Sequence, residues 1–247
     1  INGLPQLLER TEEAFRALET TPESPVRQQD TLRAVQQLTR GFSELSEEFA
    51  KIRGDADAAI AREVNVLNDS LQKLSLVNRE LALRSVRGAD IGDLADQRDR
   101  LIDEISQRIP IRVVRGDDEH SMILTTHEGV PLLDHEATIV EFDNKPIVNA
   151  SEILDPTGSA DPGYVDVLSG LRVNGRDIAP GSGDIQSVEG GLIAGLFRVR
   201  DEIAVEAQQR LDSVAYALTE RFQDTTVDTS LTATDAGLFT DGGARLD

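Results

Sequence analysis

The 247-residue chain has no cysteine and no tryptophan, and only 4% of its residues are aromatic. Without thiols there can be no disulfide, thiolate zinc site or cysteine nucleophile. The compartment stays open, because extracellular proteins can do without disulfides and cytosolic ones need none. No apolar run approaches the roughly 20 residues of a membrane-spanning helix, so no membrane partner is expected. Basic residues are also scarce: 25 Lys and Arg stand against 45 Asp and Glu, a net charge of −20. Phosphate backbones and anionic lipids would repel such a chain, and the arginines of residues 25–87 alternate with Asp and Glu instead of clustering. No nucleic-acid partner is therefore expected. Residues 1–10 lack a basic segment followed by an apolar stretch, so no cleavable secretory signal is read there, and the sequence reads as the middle of a longer protein.

What the chain does contain is helical periodicity over residues 25–87. Leu32, Val35, Leu38, Phe42, Leu45, Phe49 and Ile52 recur in steps of three and four. Ala56, Ile60 and Val64 then follow in steps of four, before Leu67, Leu71, Leu74, Val77 and Leu81 resume mixed spacing. This stutter predicts local unwinding of a supercoil and a place where the rod can bend. At ~1.5 Å per residue an unbroken helix would reach roughly 90 Å. Ser24 and Pro25 suit its start as cap and first residue, and Gly88 suits its stop. A shorter helix carrying Leu4, Leu7, Leu8, Phe15 and Leu18 precedes it. A third, capped by Asp90 or Asp93, runs to Ile109 with Leu94, Leu101, Ile102 and Ile105 on one face, and Pro110 ends it.

Between Ile111 and Gln186 the texture changes to short β-type runs, at residues 111–114, 122–125, 138–142 and 164–168. Asn174-Gly175 inside residues 171–178 signals a two-residue hairpin. Helical periodicity returns over residues 191–222, with Ile193, Leu196, Ile203, Ala207, Leu211, Val214, Leu218 and Phe222 on one stripe, and the long helix is its expected packing partner. The fold class is α+β: an elongated bundle of long helices with a small antiparallel β domain inserted. Residues 1–109 and 187–247 form the discontinuous helical rod, and residues 110–186 the inserted β domain.

Candidate chemistry is sparse. His120, His127 and His135 lie among Asp117, Asp118, Glu119, Asp134 and Glu136, but in no zinc-type spacing. Residues 155–166 resemble a calcium loop superficially and fail it, with Ala160 where glycine and Asp166 where glutamate are required. Gly181-Ser182-Gly183 and Gly190-Gly191 read as turn and hinge glycines. No residue is assigned a catalytic, cofactor-binding or metal-binding role. The sharpest local feature is Asp93-Leu94-Ala95-Asp96-Gln97-Arg98-Asp99, which puts Arg98 in line with Leu94, Leu101 and Ile105; Arg200-Asp201 repeats the arrangement on the last helix. Two readings stand for both arginines. Either they are structural locks at the base of the β domain, paired with carboxylates or helix-end carbonyls, or they lie along the rim with their heads in water.

Asn65, Asn68 and Asn78, each following an aliphatic residue on the long helix, together with the Asp93 to Asp99 segment, resemble the flagellar hook-associated protein 1 (FlgK) family. Gly190-Gly191-Leu192, Gly195-Leu196, Arg200-Asp201 and Leu211-Asp212 are similar to its later helix, and Gly237-Leu238-Phe239 to its ending. Pro22, Pro25 and Arg27 resemble the start of its long helix. Phe222-Gln223-Asp224 departs from the Asn and His the family often carries there, and the family's two terminal segments have no counterpart. The resemblance implies a non-enzymatic subunit of the bacterial flagellum, exported by the flagellar secretion apparatus to an extracellular position between hook and filament. Its implied partners are hook protein, hook-associated protein 3 and copies of itself in a ring, with the isolated fragment a monomer. The alternatives are another flagellar axial protein, such as hook-associated protein 3 or a flagellin-like subunit, and a helical scaffold whose β domain binds a surface ligand.

Overall fold

A computed structural model describes residues 3–87, 90–115, 122–145, 147–148, 153–154, 167–227, 229–232 and 235–240. The expected stop at Gly88, His120 with its acidic neighbours, and the calcium-like segment lie outside the described residues. The chain divides into two compact units, residues 1–49 with 205–247, and residues 50–204.

Three helices open the chain: α1 (Leu4–Thr20), α2 (Pro25–Val86) and α3 (Gly92–Arg108). Nine short strands follow among the described residues: β1 (Ile111–Arg115), β2 (Met122–Thr126), β3 (Pro131–Asp134), β4 (Glu136–Ala137), β5 (Val140–Glu141), β6 (Ile153–Leu154), β7 (Val167–Leu168), β8 (Arg172–Val173) and β9 (Arg176–Asp177). The last helical run comprises α4 (Gly191–Arg198), a π-helical turn (Val199–Ile203) and α5 (Ala204–Gln223). The α+β class read from the sequence is the class observed.

The start of α2 uses the expected residues. Ser24 Oγ accepts the Arg27 amide, at a long 3.5 Å, and Pro25 takes the first helical position, where its missing N–H is no loss. The start of α3 differs from expectation. Asp90 Oδ1 accepts the Gly92 amide at 3.0 Å in a tight turn, Ile91 stands at the cap, and Asp93 sits in the first turn, where its charge suits the helix dipole.

In the unit formed by residues 50–204, α2 is unbroken across the stutter. Its buried positions are Arg53, Ala56, Asp57, Ile60, Val64, Leu67, Ser70, Leu71, Leu74, Ser75, Val77 and Leu81. Once Arg53 and Asp57 are counted, the steps through residues 53, 57, 60, 64, 67, 71 and 74 alternate four and three, and the stutter reflects two charged residues on seam positions. Leu67, Leu71, Leu74 and Leu81 form one core with Ile105 and Ile109 of α3, Leu124, Leu132 and Leu133 of the sheet, and Ile193 and Phe197 of α4. Full burial of each such side chain contributes about 1.5–3 kcal/mol.

The larger sheet has order β1-β2-β3-β4 and the second β5-β8-β9, both antiparallel throughout. A separate two-residue pair, β6 with β7, is parallel, an exception to the antiparallel expectation. The hairpin between β8 and β9 turns at Asn174 (φ 51°) and Gly175 (φ 76°), the left-handed pair that an Asn-Gly turn supplies. Strands β3 and β4 carry no alternating pattern long enough to see in sequence, and the run at 138–142 contracts to β5.

In the unit formed by residues 1–49 and 205–247, α1 lies close along α2. Thr31 Oγ1 is 3.1 Å from the Ala14 carbonyl and Thr11 Oγ1 3.4 Å from that of Ala34. A Cβ on Gly41 would come within 2.5 Å of the Leu7 side chain. Leu32, expected on the seam, is 51% exposed, and Thr31 takes its place inside.

The stripe expected on the last helix also moves. Ile203 is 57% and Val214 39% exposed, whereas Ala204, Gln208 and Leu211 are buried. The π turn inserts one extra residue per turn, so each following position takes the place its predecessor would have held.

Candidate functional site

Four charged side chains from two helices meet inside the unit of residues 50–204. Arg53 and Asp57, four apart on α2, face the same way, and Arg200 and Asp201 come from the π turn. Arg200 and Asp57 have no exposed side-chain surface, and Arg53 is 2% exposed. Two positive and two negative charges balance, as buried ions must.

Arg200 is the centre of the cluster. Its Nη1 donates to Asp57 Oδ1 at 2.6 Å, and its Nε and Nη2 donate side by side to the two carboxylate oxygens of Asp201, both at 2.9 Å. Nη2 also donates to the Ser169 carbonyl at 3.1 Å. The planar guanidinium lies over the Phe197 ring at 4.7 Å and the Phe142 ring at 5.7 Å, and those rings meet edge-on. The second oxygen of Asp57 accepts the Lys145 backbone amide at 2.6 Å, which ties the segment after β5 to α2. Burial raises the Asp201 carboxyl above its ordinary range, outweighing the hydrogen bond and charge of Arg200 that pull it down.

The backbone of the π turn completes the arrangement. In an α-helix the Ala204 amide would donate to the Arg200 carbonyl; here it donates to Val199. The Arg200 carbonyl accepts Arg53 Nε at 2.9 Å. A buried acceptor that loses a helical donor needs another partner, and a charged one binds it more strongly.

The three asparagines of the motif do different things. Asn68 is bonded twice to one β5 residue, donating through Nδ2 to the Val140 carbonyl at 2.8 Å and accepting the Val140 amide at 2.9 Å. Asn65 is exposed, and Asn78 is half-buried with its Oδ1 lacking a hydrogen-bond partner among the described residues. Ser75, between them and not singled out in the sequence, donates to the His135 carbonyl at 3.1 Å.

On α3, Asp93, Asp96, Gln97 and Asp99 are exposed. Arg98 is half-buried and bonds its own neighbour Asp99 through Nε and Nη2, at 3.1 and 3.0 Å. The structure thus does not bring Arg98 and Arg200 into equivalent surroundings. Arg53, Asp57, Ser169 and the two phenylalanines escaped sequence reasoning. The available signal was the stutter itself, which marks where charge replaces apolar residues.

Gly190-Gly191 has a steric reason. A Cβ on Gly191, at φ 80°, would sit 2.5 Å from the Arg108 carbonyl oxygen, and one on Gly190 2.9 Å from the Pro110 ring. Only glycine lets α4 start against the end of α3. Gly237 is similar within the other unit: its Cβ would meet the Phe222 carbonyl, and Phe239 packs edge-on against the Phe222 ring with centroids 5.0 Å apart. In that unit an apolar groove of about 630 Å³ is lined by Leu8, Phe15, Leu38, Leu218, Phe222 and Phe239, with Glu9 and Glu12 also lining it.

The family model for the flagellar hook-associated protein FlgK helical domain matches residues 1–229. The chain belongs to the FlgK family. A solved structure of the flagellar hook junction protein FlgK from Burkholderia pseudomallei shares the fold, with a TM-score of 0.71 and 16% identity over 90% of this chain. The match covers 37% of that protein, so the present chain corresponds to little more than a third of its length. No curated protein matches in sequence. Within this FlgK-family chain, the Asn-bearing helix, the Gly-Gly turn and the Arg-Asp pair each have a packing or hydrogen-bonding reason in the fold, and the family is one of structural flagellar proteins.

Proposed function

We propose that this chain is the central part of a structural subunit forming the junction between flagellar hook and filament, and that it carries no enzymatic activity. The observation that carries this reading is the family match across residues 1–229, supported by the likeness in fold to the hook junction protein. Hook protein and hook-associated protein 3 are the proposed neighbours, copies of the full-length protein the proposed ring, and the flagellar export apparatus the proposed route to an extracellular position. No helix among the described residues is long and apolar enough to cross a membrane, which is compatible with that route. Residues 1–109 and 187–247 are proposed as the helical domain that packs against neighbouring subunits, with residues 110–186 as a module facing solvent. The interior of the charge cluster fits this role: its groups are saturated by one another and by backbone, as a part that bears load needs, and none is presented to a substrate.

The test is genetic. Deleting the full-length gene should leave hooks that shed unpolymerised flagellin, restored by the gene in trans; filaments of normal length in the deletion strain would overturn the assignment.

A further inference from the structure

We propose that Asn174 is a latent self-modification site, shut by the left-handed turn it occupies and consumed irreversibly when the hairpin between β8 and β9 opens. Asn174 and Gly175 are exposed at the hairpin tip, with φ of 51° and 76°. The reaction is attack by the Gly175 backbone nitrogen on the Asn174 side-chain Cγ. The amide proton passes to hydroxide, an N–Cγ bond forms, and the Cγ–Nδ2 bond breaks to release ammonia, leaving a five-membered imide. Water then opens the ring. Attack at Cγ gives aspartate, and attack at the main-chain carbonyl gives isoaspartate, whose backbone runs through the former side chain. Water enters and ammonia leaves, so neither an oxidant nor a cofactor is needed. Glycine in second place favours the attack, because no Cβ shields its nitrogen.

The turn holds the reacting atoms apart. Ring closure needs the Gly175 nitrogen nearly eclipsed with Cβ about the Asn174 Cα–C bond. Positive φ at both residues of a two-residue loop makes this a type I′ turn, whose first residue takes a ψ of about +30°. At that angle the nitrogen lies across the bond from Cβ, and Cγ is out of its reach in every side-chain rotamer. Local opening of the hairpin frees ψ. The isoaspartate product does not close again, because it lengthens the main chain by one carbon within the two-residue loop and puts Val173 and Arg176 out of register. Strand β8 keeps its other neighbour, since Val173 also pairs with Val140, so the break falls on β9. Arg176 Nη1 donates to Gln186 Oε1, and Gln186 Nε2 to the Glu128 carbonyl at 3.2 Å. The segment carrying Gln186 therefore loses a tie when Arg176 moves.

The full chain is held folded, and separately unfolded in urea, at one mildly alkaline pH. Conversion is read by mass spectrometry of proteolytic peptides, which separates Asn174-Gly175 from the Asn2-Gly3 of the same sequence. Asn174 should convert at least tenfold more slowly in the folded chain; equal rates overturn the proposal. One glycine inserted after Gly175 makes a three-residue loop, which is built on a right-handed type I turn and no longer holds Asn174 left-handed. The folded insertion chain should convert at least threefold faster than the folded parent, and an unchanged rate overturns the role given to the turn. Where the insertion chain fails to fold, the products of the parent decide. Aspartate before glycine suits the same turn, so after refolding, hydrogen exchange should find the Arg176 amide at least tenfold less protected in isoaspartyl than in aspartyl chains. Equal protection in the two products overturns the proposal.

Discussion

Arg53 donates through Nε to the backbone carbonyl of Arg200, 147 positions away, at 2.9 Å. The same Arg200 sends its side chain back to Asp57, one helical turn beyond Arg53, at 2.6 Å. Backbone and side chain of one residue are thereby held by two residues on one face of α2. Breaking either half leaves a buried charge or carbonyl uncompensated.

Substitution of Arg200 by Met should therefore destabilise the protein by about 3–5 kcal/mol, the usual consequence of orphaning a buried charge. Arg98→Met, which removes a half-buried arginine paired with adjacent Asp99, should cost no more than about 1 kcal/mol. Urea unfolding of both variants checks the contrast. A double-mutant cycle of Arg200→Met with Asp57→Asn should show coupling within about 0.5–3 kcal/mol, the range for contacting groups.

Two glycines of α4 should respond with opposite sign. Gly191→Ala forces a Cβ to within 2.5 Å of backbone at a positive φ and should lower stability by at least about 1 kcal/mol. Gly195→Ala meets nothing within 4 Å and should raise it by about 0.5–1 kcal/mol through helix propensity. Thermal unfolding of the pair is sufficient.

Asn68 and Asn65 look alike in sequence and should separate in the laboratory. Asn68→Asp removes a donor and sets a carboxylate against the Val140 carbonyl, an expected loss of about 1–3 kcal/mol with faster hydrogen exchange at the Val140 amide. Asn65→Ala, at an exposed position, should stay within about 0.5 kcal/mol of the parent.

The two shifted carboxyls should titrate on opposite sides of 3.8. Burial raises Asp201, so its contribution to stability is fully present below 3.8 and is lost as pH rises through the folded value. Asp224 is lowered, first by the Thr226 hydroxyl and then by the Thr226 amide, so its contribution is present above 3.8 and lost as pH falls through its folded value. Carbon-detected NMR of the side-chain carboxyls should give Asp201 the higher midpoint, and the reverse order would contradict both.

Periodicity made the helices legible because a helix that buries one face must repeat its apolar residues. The bounds of α1, α2 and α3 were readable for that reason, as was the Asn174-Gly175 hairpin through its turn chemistry. The two-residue strands were less so, because a pair of residues carries no period. The charge cluster was half visible: Arg200, with Asp201 beside it, stood out by its place on an apolar stripe, whereas Arg53 and Asp57 registered only as a gap in one. The π turn left no trace in the pattern, since residues 191–222 read equally well as unbroken α-helix. An extra residue shows itself only through which neighbours end up in water.

Val140 belongs to the outermost strand of its sheet, and its residue opposite β8 is Val173. The Val140 amide and carbonyl, which Asn68 occupies, would otherwise offer a docking line for a foreign strand. One amide side chain from a helix thus imitates the missing neighbour strand and closes that border to edge-to-edge aggregation.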